Sequence, residues 1–185
     1  NVVGTPNLAN RNVIGNYSHA VEHFGAGTNG NIVQNNLLCI APGGGTATCS
    51  NGIDHNFGPK NGTIGGDGDH EYNVIGPTTL QGIEYSHGWD KTLPWGTDTA
   101  TTYQINDNSA IGNWVGFRMD GSYSPSYRSG LNFSSGDNGQ AINVYDGSNR
   151  NNILRNHIAA TYDGIQVMAP NATGNVVRGN IIGVA

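Results

Sequence analysis

Apolar residues in this chain come in short pairs, not in stripes. One phrase reads Asn12-Val13-Ile14-Gly15-Asn16 and returns as Asn31-Ile32-Val33-Gln34-Asn35-Asn36 and Asn73-Val74-Ile75-Gly76. It returns again as Asn152-Ile153-Leu154-Arg155-Asn156 and Asn175-Val176-Val177-Arg178-Gly179-Asn180, with a looser copy at Tyr103-Gln104-Ile105-Asn106-Asp107-Asn108. A second phrase sets a small residue before a large apolar one, then a variable polar residue and a bulkier one. It reads Ala20-Val21-Glu22-His23, Gly52-Ile53-Asp54-His55 and Gly82-Ile83-Glu84-Tyr85. Further copies are Gly116-Phe117-Arg118-Met119, Ala141-Ile142-Asn143-Val144 and Gly164-Ile165-Gln166-Val167. Each phrase is too short for a helix, and no apolar stripe of 3.6-residue period joins them. Val and Ile suit a pleated, half-buried surface. The phrases predict short strands.

Stretches such as Gly25-Ala26-Gly27-Thr28-Asn29-Gly30 and Asp146-Gly147-Ser148-Asn149-Arg150-Asn151 separate them. These carry the residues that turns require. Neighbouring copies lie about 20 residues apart, or near a multiple of that once loops are allowed, which is the spacing of a solenoid built from single β coils. An Asn recurring once per coil stacks, so its amide can bond to the coils above and below and avoid the cost of burial unpaired. The predicted fold is all-β, a single-stranded parallel β-helix forming one domain over residues 1–185. A β-sandwich of regular short strands is the competing fold, and internal periodicity favours the solenoid.

The two phrases resemble those of the right-handed parallel β-helix in the pectin-lyase-like superfamily. The resemblance rests on Asn followed by two of Val, Ile or Leu, and on Gly or Ala followed by Ile, Val or Phe. It covers most of the chain outside the insertions, and right-handed coiling is what it implies. That superfamily includes lyases, hydrolases, epimerases and non-catalytic stalks, so the resemblance implies a fold more narrowly than an activity. Four insertions interrupt the coils: 41–50, 66–72, 88–98 and 122–128. In a solenoid such insertions are expected on one face, where they shape a groove.

Composition narrows the picture. Gly (29 of 185 residues) and Asn are abundant and only 11% of residues are charged, which fits many tight turns. A net charge of −5 gives no basic footprint, so nucleic acid is not an expected partner. No apolar run approaches the roughly 20 residues of a membrane span. Cys39 and Cys49 flank a short loop and predict a local disulfide, with secretion or display at the cell surface. The chain opens on Asn1-Val2-Val3-Gly4 and closes on Ile181-Ile182-Gly183-Val184-Ala185, both in the manner of a repeat. A processed chain or a piece of a longer one is expected.

The polar position of the second phrase carries the candidate chemistry. If Val21, Ile53 and Ile83 point inward, then Glu22, Asp54 and Glu84 point outward. On successive coils about 4.8 Å apart they form a carboxylate ladder. Like charges so close raise one another's pKa, and a cation, a shared proton or Arg118 on the next coil must offset them. Such a ladder serves acid/base work on a glycosidic bond or binds Ca2+ through oxygen, and it is equally readable as a solvated face. His23, His55 and Tyr85 form the neighbouring column, readable as proton carriers or as rings stacked along the solenoid.

Tyr85, His87 and Lys91 are the densest reactive cluster, and His87-Gly88 is faintly similar to the His-Gly of pectin-degrading hydrolases. Trp89, Trp95, Tyr123 and Tyr127 are candidate platforms for sugar rings, or pins that hold the insertions in place. Asp67, Asp69 and Glu71 alternate in a Gly-rich loop and can wrap Ca2+. Four Asn-x-Ser/Thr sequons match what a chain this rich in Asn, Ser and Thr contains by chance.

Together these residues lead to the expectation of an extracellular β-helix that acts on or binds a polysaccharide, as a lyase, hydrolase or C5-epimerase over the ladder. Glu22, Asp54 and Glu84 would be acid/base groups or ligands, Arg118 a substrate clamp, and Tyr85 or His87 the proton carrier. The alternative is a structural subunit of a stalk, sheath or filament that associates end to end through open edges.

Overall fold

The computed structural model describes residues 1–47, 49–86, 104–122, 139–145, 147–159, 163–168 and 172–183. Among them there is no α-helix; the single helical element is a 3-10 turn at Leu8–Asn10. The chain is a parallel β-helix with three principal faces, visited in the same order on every coil. The first face stacks Val2–Val3, Ile32–Val33, Thr63–Gly65, Ser109–Ile111, Asn152–Leu154 and Val176–Arg178. The second stacks Val13–Ile14, Leu37–Leu38, Val74–Ile75, Trp114–Val115, His157–Ile158 and Ile181–Ile182. The third stacks His19–Phe24, Asn51–Asn56, Ile83–Ser86, Gln140–Val144 and Asp163–Val167. A minor pairing joins Ile105–Asn106 to Ser148–Asn149.

Apolar residues in matching register fill the interior, with Tyr85 and Val144 adding a second inward position on the third face. Val33, Ile64, Ala110 and Ile153 stack from the first face, and Leu38, Ile75, Val115 and Ile158 from the second. Val21, Ile53, Ile83, Ile142 and Ile165 stack from the third. The small residue that precedes the apolar one on the third face now has a reason. A Cβ on Gly82 would lie 2.4 Å from Val115 Cγ1 and 2.6 Å from the Ala141 carbonyl oxygen, where no atom fits.

Asparagine supplies the corners. Between the first and second faces, Asn12, Asn36, Asn73, Asn113, Asn156 and Asn180 form a ladder. Each Nδ2 donates to the Oδ1 of the next, at 2.8, 2.9, 2.9, 3.1 and 3.0 Å. From Asn36 to Asn156 the backbone N–H donates to the same Oδ1 as the side chain. A second ladder enters the first face through Asn1, Asn31, Asn108, Asn151 and Asn175, with Gly62 in the rung between Asn31 and Asn108. Most rungs follow a residue with positive φ: Gly30, Asn35, Asn61, Asp107, Gly112, Arg150, Arg155, Gly174 and Gly179. Gly and Asn adopt that conformation at least cost, which is why the chain is rich in both.

The ladder also measures the coil. Its steps are 24, 37, 40, 43 and 24 residues. The bare coil is therefore 24 residues, longer than the spacing of about 20 that the phrases suggest. The 41–50 insertion precedes a third-face strand, whereas 66–72 joins the first face to the second; the expected insertions at 88–98 and 122–128 lie, apart from Ser122, outside the described residues. The 41–50 insertion is pinned by the Cys39–Cys49 disulfide, with Cα atoms 5.4 Å apart. No helix among the described residues is long and apolar enough to cross a membrane.

Candidate functional site

The third face brings the carboxylates together. Glu22 pairs in register with Asp54, Asp54 with Glu84, Glu84 with Asn143, and Asn143 with Gln166. The ladder is thus acidic over three coils and carboxamide over the next two. Arg118 is not on it. The chain goes from Ile83 to Ile142 before it returns to this face, and Gly116-Phe117-Arg118 directly follows the second-face strand Trp114–Val115. Arg118 lies in a turn instead, where its N–H donates to the Ser122 carbonyl and its carbonyl accepts from Gly121. Asn143, not Arg118, holds the next register of the ladder.

His19 takes its place beside the acids. Its Nε2 is 3.4 Å from Asp54 Oδ2 and its Nδ1 is 3.7 Å from Glu22 Oε2. It belongs to an all-polar column two residues ahead of the apolar position: His19, Asn51, Gln81, Gln140 and Asp163. Asn51 pairs with His19 in register, and its Nδ2 donates to Asp54 Oδ2 (3.2 Å) and Glu84 Oε2 (2.6 Å). Asn56 Nδ2 donates to Asp54 Oδ2 at 2.7 Å. Gln81 continues the column by donating to Gln140 at 3.2 Å.

Asp54 is the electrostatic centre of this cluster. It is 1% exposed, although it occupies the outward register. Burial pushes its pKa up to about 8, and the charges of Glu84 and Glu22 push the same way against His19 and the Asn56 hydrogen bond. Its Oδ1 and the Oδ1 of Asn51 and of Asn143 are buried without a hydrogen-bond partner. Among the described residues, His19, Glu22 and Asp54 are the group whose ligand atoms gather within 4.8 Å of one another.

The neighbouring column faces the other way. His23, His55 and Tyr85 alternate inward without a bend in the strand, at 7%, 0% and 0% exposure. His23 Nδ1 and His55 Nε2 share a hydrogen bond of 2.8 Å, and the Tyr85 ring meets His55 edge-on at 5.2 Å. Burial holds His55 down to about 3, lowers His23 and raises Tyr85. The rings follow one another along the solenoid, tilted or edge-on, and all three hold the inward register. Tyr85, expected as a proton carrier beside the acids, lies across its strand from them.

Asp67, Asp69 and Glu71 do not converge. Asp67 forms a two-point ion pair with Arg155, with Nε–Oδ1 at 2.8 Å. Glu71 accepts the Gly68 N–H within its own loop at 2.8 Å. The alternating spacing suits a cation, but one carboxylate is taken by an arginine from a later coil and another by the turn. His87, Trp89, Lys91, Trp95, Tyr123 and Tyr127 lie outside the described residues. An aromatic group that the sequence did not flag sits on the second face. Tyr72 and His157 both stack on Trp114, at 5.7 and 5.4 Å, and Phe117 tilts against it. These rings engage one another and form a packing column.

No family model, no curated protein and no solved structure matches the chain.

Proposed function

We propose that this is a secreted or cell-surface β-helix whose third face acts on or binds a polysaccharide. The observation that carries the reading is the register of Glu22, Asp54 and Glu84 on three successive coils, continued by Asn143 and Gln166. Five rungs at about 4.8 Å spacing give a straight polar stripe along the solenoid axis. A linear polymer of hydroxyl-bearing rings can lie along such a stripe, meeting the exposed Glu22 and the half-buried Glu84 and Gln166, with Asp54 and Asn143 buried between them. Carboxyls at its acidic end supply proton transfer to a glycosidic oxygen or from an adjacent C–H, the chemistry of hydrolases, lyases and epimerases. The likeness of the repeats to the pectin-lyase-like superfamily supports this, and the disulfide suits an oxidising compartment.

The test is product release and binding on a panel of plant, algal and bacterial polysaccharides, with Glu22→Gln, Asp54→Asn and Glu84→Gln in parallel. At least one polymer is expected to be bound or cleaved by the parent and lost by two or more of the variants. Binding and activity indifferent to all three changes refute the reading.

A second reading rests on the coil edge formed by Val176–Arg178 and Ile181–Ile182. Val177 and Ile182 hold inward register there yet are 46% and 52% exposed. A further coil stacked on this edge buries both, as in a filament or a longer solenoid. Light scattering of the full-length protein distinguishes an assembling subunit from a strict monomer.

A further inference from the structure

We infer that His19, Glu22 and Asp54 form a binding site for one divalent transition-metal ion, with Zn2+ the best match. His19 and Glu22 stand three residues apart on one strand, and Asp54 lies in Glu22's register on the next coil. One ligand atom from each lies within 4.8 Å of the others, and His19 Nε2 is already 3.4 Å from Asp54 Oδ2. Ligands bound at about 2.0–2.2 Å around a common ion end up at comparable mutual distances, so side-chain adjustment alone closes the site. The His19 and Glu22 side chains are 32% and 38% exposed, which leaves an entry path from solvent. Asp54 forms the buried floor.

A second observation at the same cluster points to a cation. Asn51 lies beside His19 in register, and its Nδ2 binds Asp54 and Glu84, so its carboxamide belongs to the same cluster. Its Oδ1 is buried with no donor, as is Asp54 Oδ1. Buried acceptors without donors are costly, and two of them in one acidic cluster are relieved by a positive ion better than by any neutral packing. Nothing comparable occurs at Asp67, where Arg155 already supplies the positive charge.

The ligand set decides the class of ion. One imidazole and two carboxylates are the donors of zinc and its neighbours, with a coordination position left open to water or a ligand hydroxyl. Ca2+ asks for six to eight oxygen ligands and gains nothing from the imidazole. The inference goes beyond the polysaccharide reading and stands without it, because metal content is measured with no substrate present.

The experiment is equilibrium dialysis and isothermal titration on the full chain after chelator treatment, with ZnCl2, MnCl2 and CaCl2 as probes. The expected result is one Zn2+ per chain, bound at least tenfold more tightly than Ca2+. Affinity should fall at least tenfold in His19→Ala and in Glu22→Gln and stay unchanged in His70→Ala. Zn2+ should also raise the melting temperature of the parent and not that of His19→Ala, whose half-exposed position leaves the apo fold intact. Absence of saturable Zn2+ binding overturns the inference. So does binding that survives both variants, binding that His70→Ala abolishes, or a preference for Ca2+.

Discussion

Replacing Asn113 with Ala removes one rung from the middle of the corner ladder, and the consequences can be followed atom by atom. Asn113 is fully buried. Its Oδ1 accepts the backbone N–H and the Nδ2 of Asn73, and its Nδ2 donates to the Ile64 carbonyl and to Asn156 Oδ1. Two of these partners have a second bond to fall back on. Asn73 Nδ2 still donates to the Val33 carbonyl, and Asn156 Oδ1 still accepts the Asn113 backbone N–H. The Asn73 backbone N–H loses its partner in a dry interior, while the Ile64 carbonyl still faces the neighbouring strand Ser109–Ile111. At about 1–3 kcal/mol for one stranded donor, the loss is a large share of the stability of an ordinary domain. Asn10→Ala, which breaks one exposed bond to Thr5, should cost under about 1 kcal/mol. Urea unfolding followed by far-UV circular dichroism measures both. An Asn113→Ala midpoint within 1 kcal/mol of the parent, at unchanged slope, would falsify the view that the ladder holds the corner together.

Gly62→Asn completes the interrupted ladder and gives the buried, unpartnered Asn31 Nδ2 an acceptor, so the melting temperature should rise by a few degrees; a fall means that the 3.0 Å approach of the new Cβ to Asn108 Oδ1 is not relieved. Gly116→Ala should destabilise strongly, because φ is +87° and the Ala159 carbonyl oxygen sits 1.9 Å from the new Cβ; near-parental thermal stability would contradict the packing described. His23 and His55 stay neutral in the fold at pH values where an unfolded chain protonates them. Their contribution is therefore full above about pH 6.5 and is lost as the pH falls below it, down to about 3 for His55, by at most ~1.4 kcal/mol per unit for each ring. Chemical denaturation at a series of pH values should show a flatter acid limb in His55→Leu, and equal limbs would exclude the pair as the cause. Reducing the Cys39–Cys49 bridge should lower stability by about 2–3 kcal/mol, read from unfolding with and without reductant.

The inward columns were legible because an interior position in a stack demands only size and shape, and Val or Ile at each turn of the phrase announces it. The corner asparagines were legible for the same reason: one amide per coil has one place to go. Arg118 was misplaced because Gly116-Phe117-Arg118-Met119 copies the form of the third-face phrase while following Val115 on the second face. A phrase four residues long carries no mark of which face it serves, and insertions of unequal length erase the count between copies. His19 escaped notice because it precedes the phrase, and its tie to Asp54 exists only across coils. The run of polar residues two places ahead of each apolar one, from His19 through Asn51, Gln81 and Gln140 to Asp163, was the available signal. His23, His55 and Tyr85 were ambiguous in sequence because titratable groups on an inward register contradict simple patterning. In the structure the two imidazoles share one hydrogen bond, while His55 Nδ1 and the Tyr85 hydroxyl are buried without a partner.

The corner ladders have a direction. From Asn12 to Asn180 and from Asn1 to Asn175, every side-chain amide that reaches the next rung gives its hydrogen toward higher residue numbers and receives from lower ones. The solenoid is therefore a vector, with donors leading at one end and acceptors trailing at the other. A coil laid against the Asn175 and Asn180 edge must present carbonyl oxygens, and one laid against the Asn1 and Asn12 edge must present N–H groups. Two identical edges brought face to face would set donor against donor. At these corners a head-to-tail stack would continue the hydrogen-bond sense of the ladders, and a mirrored pair would reverse it.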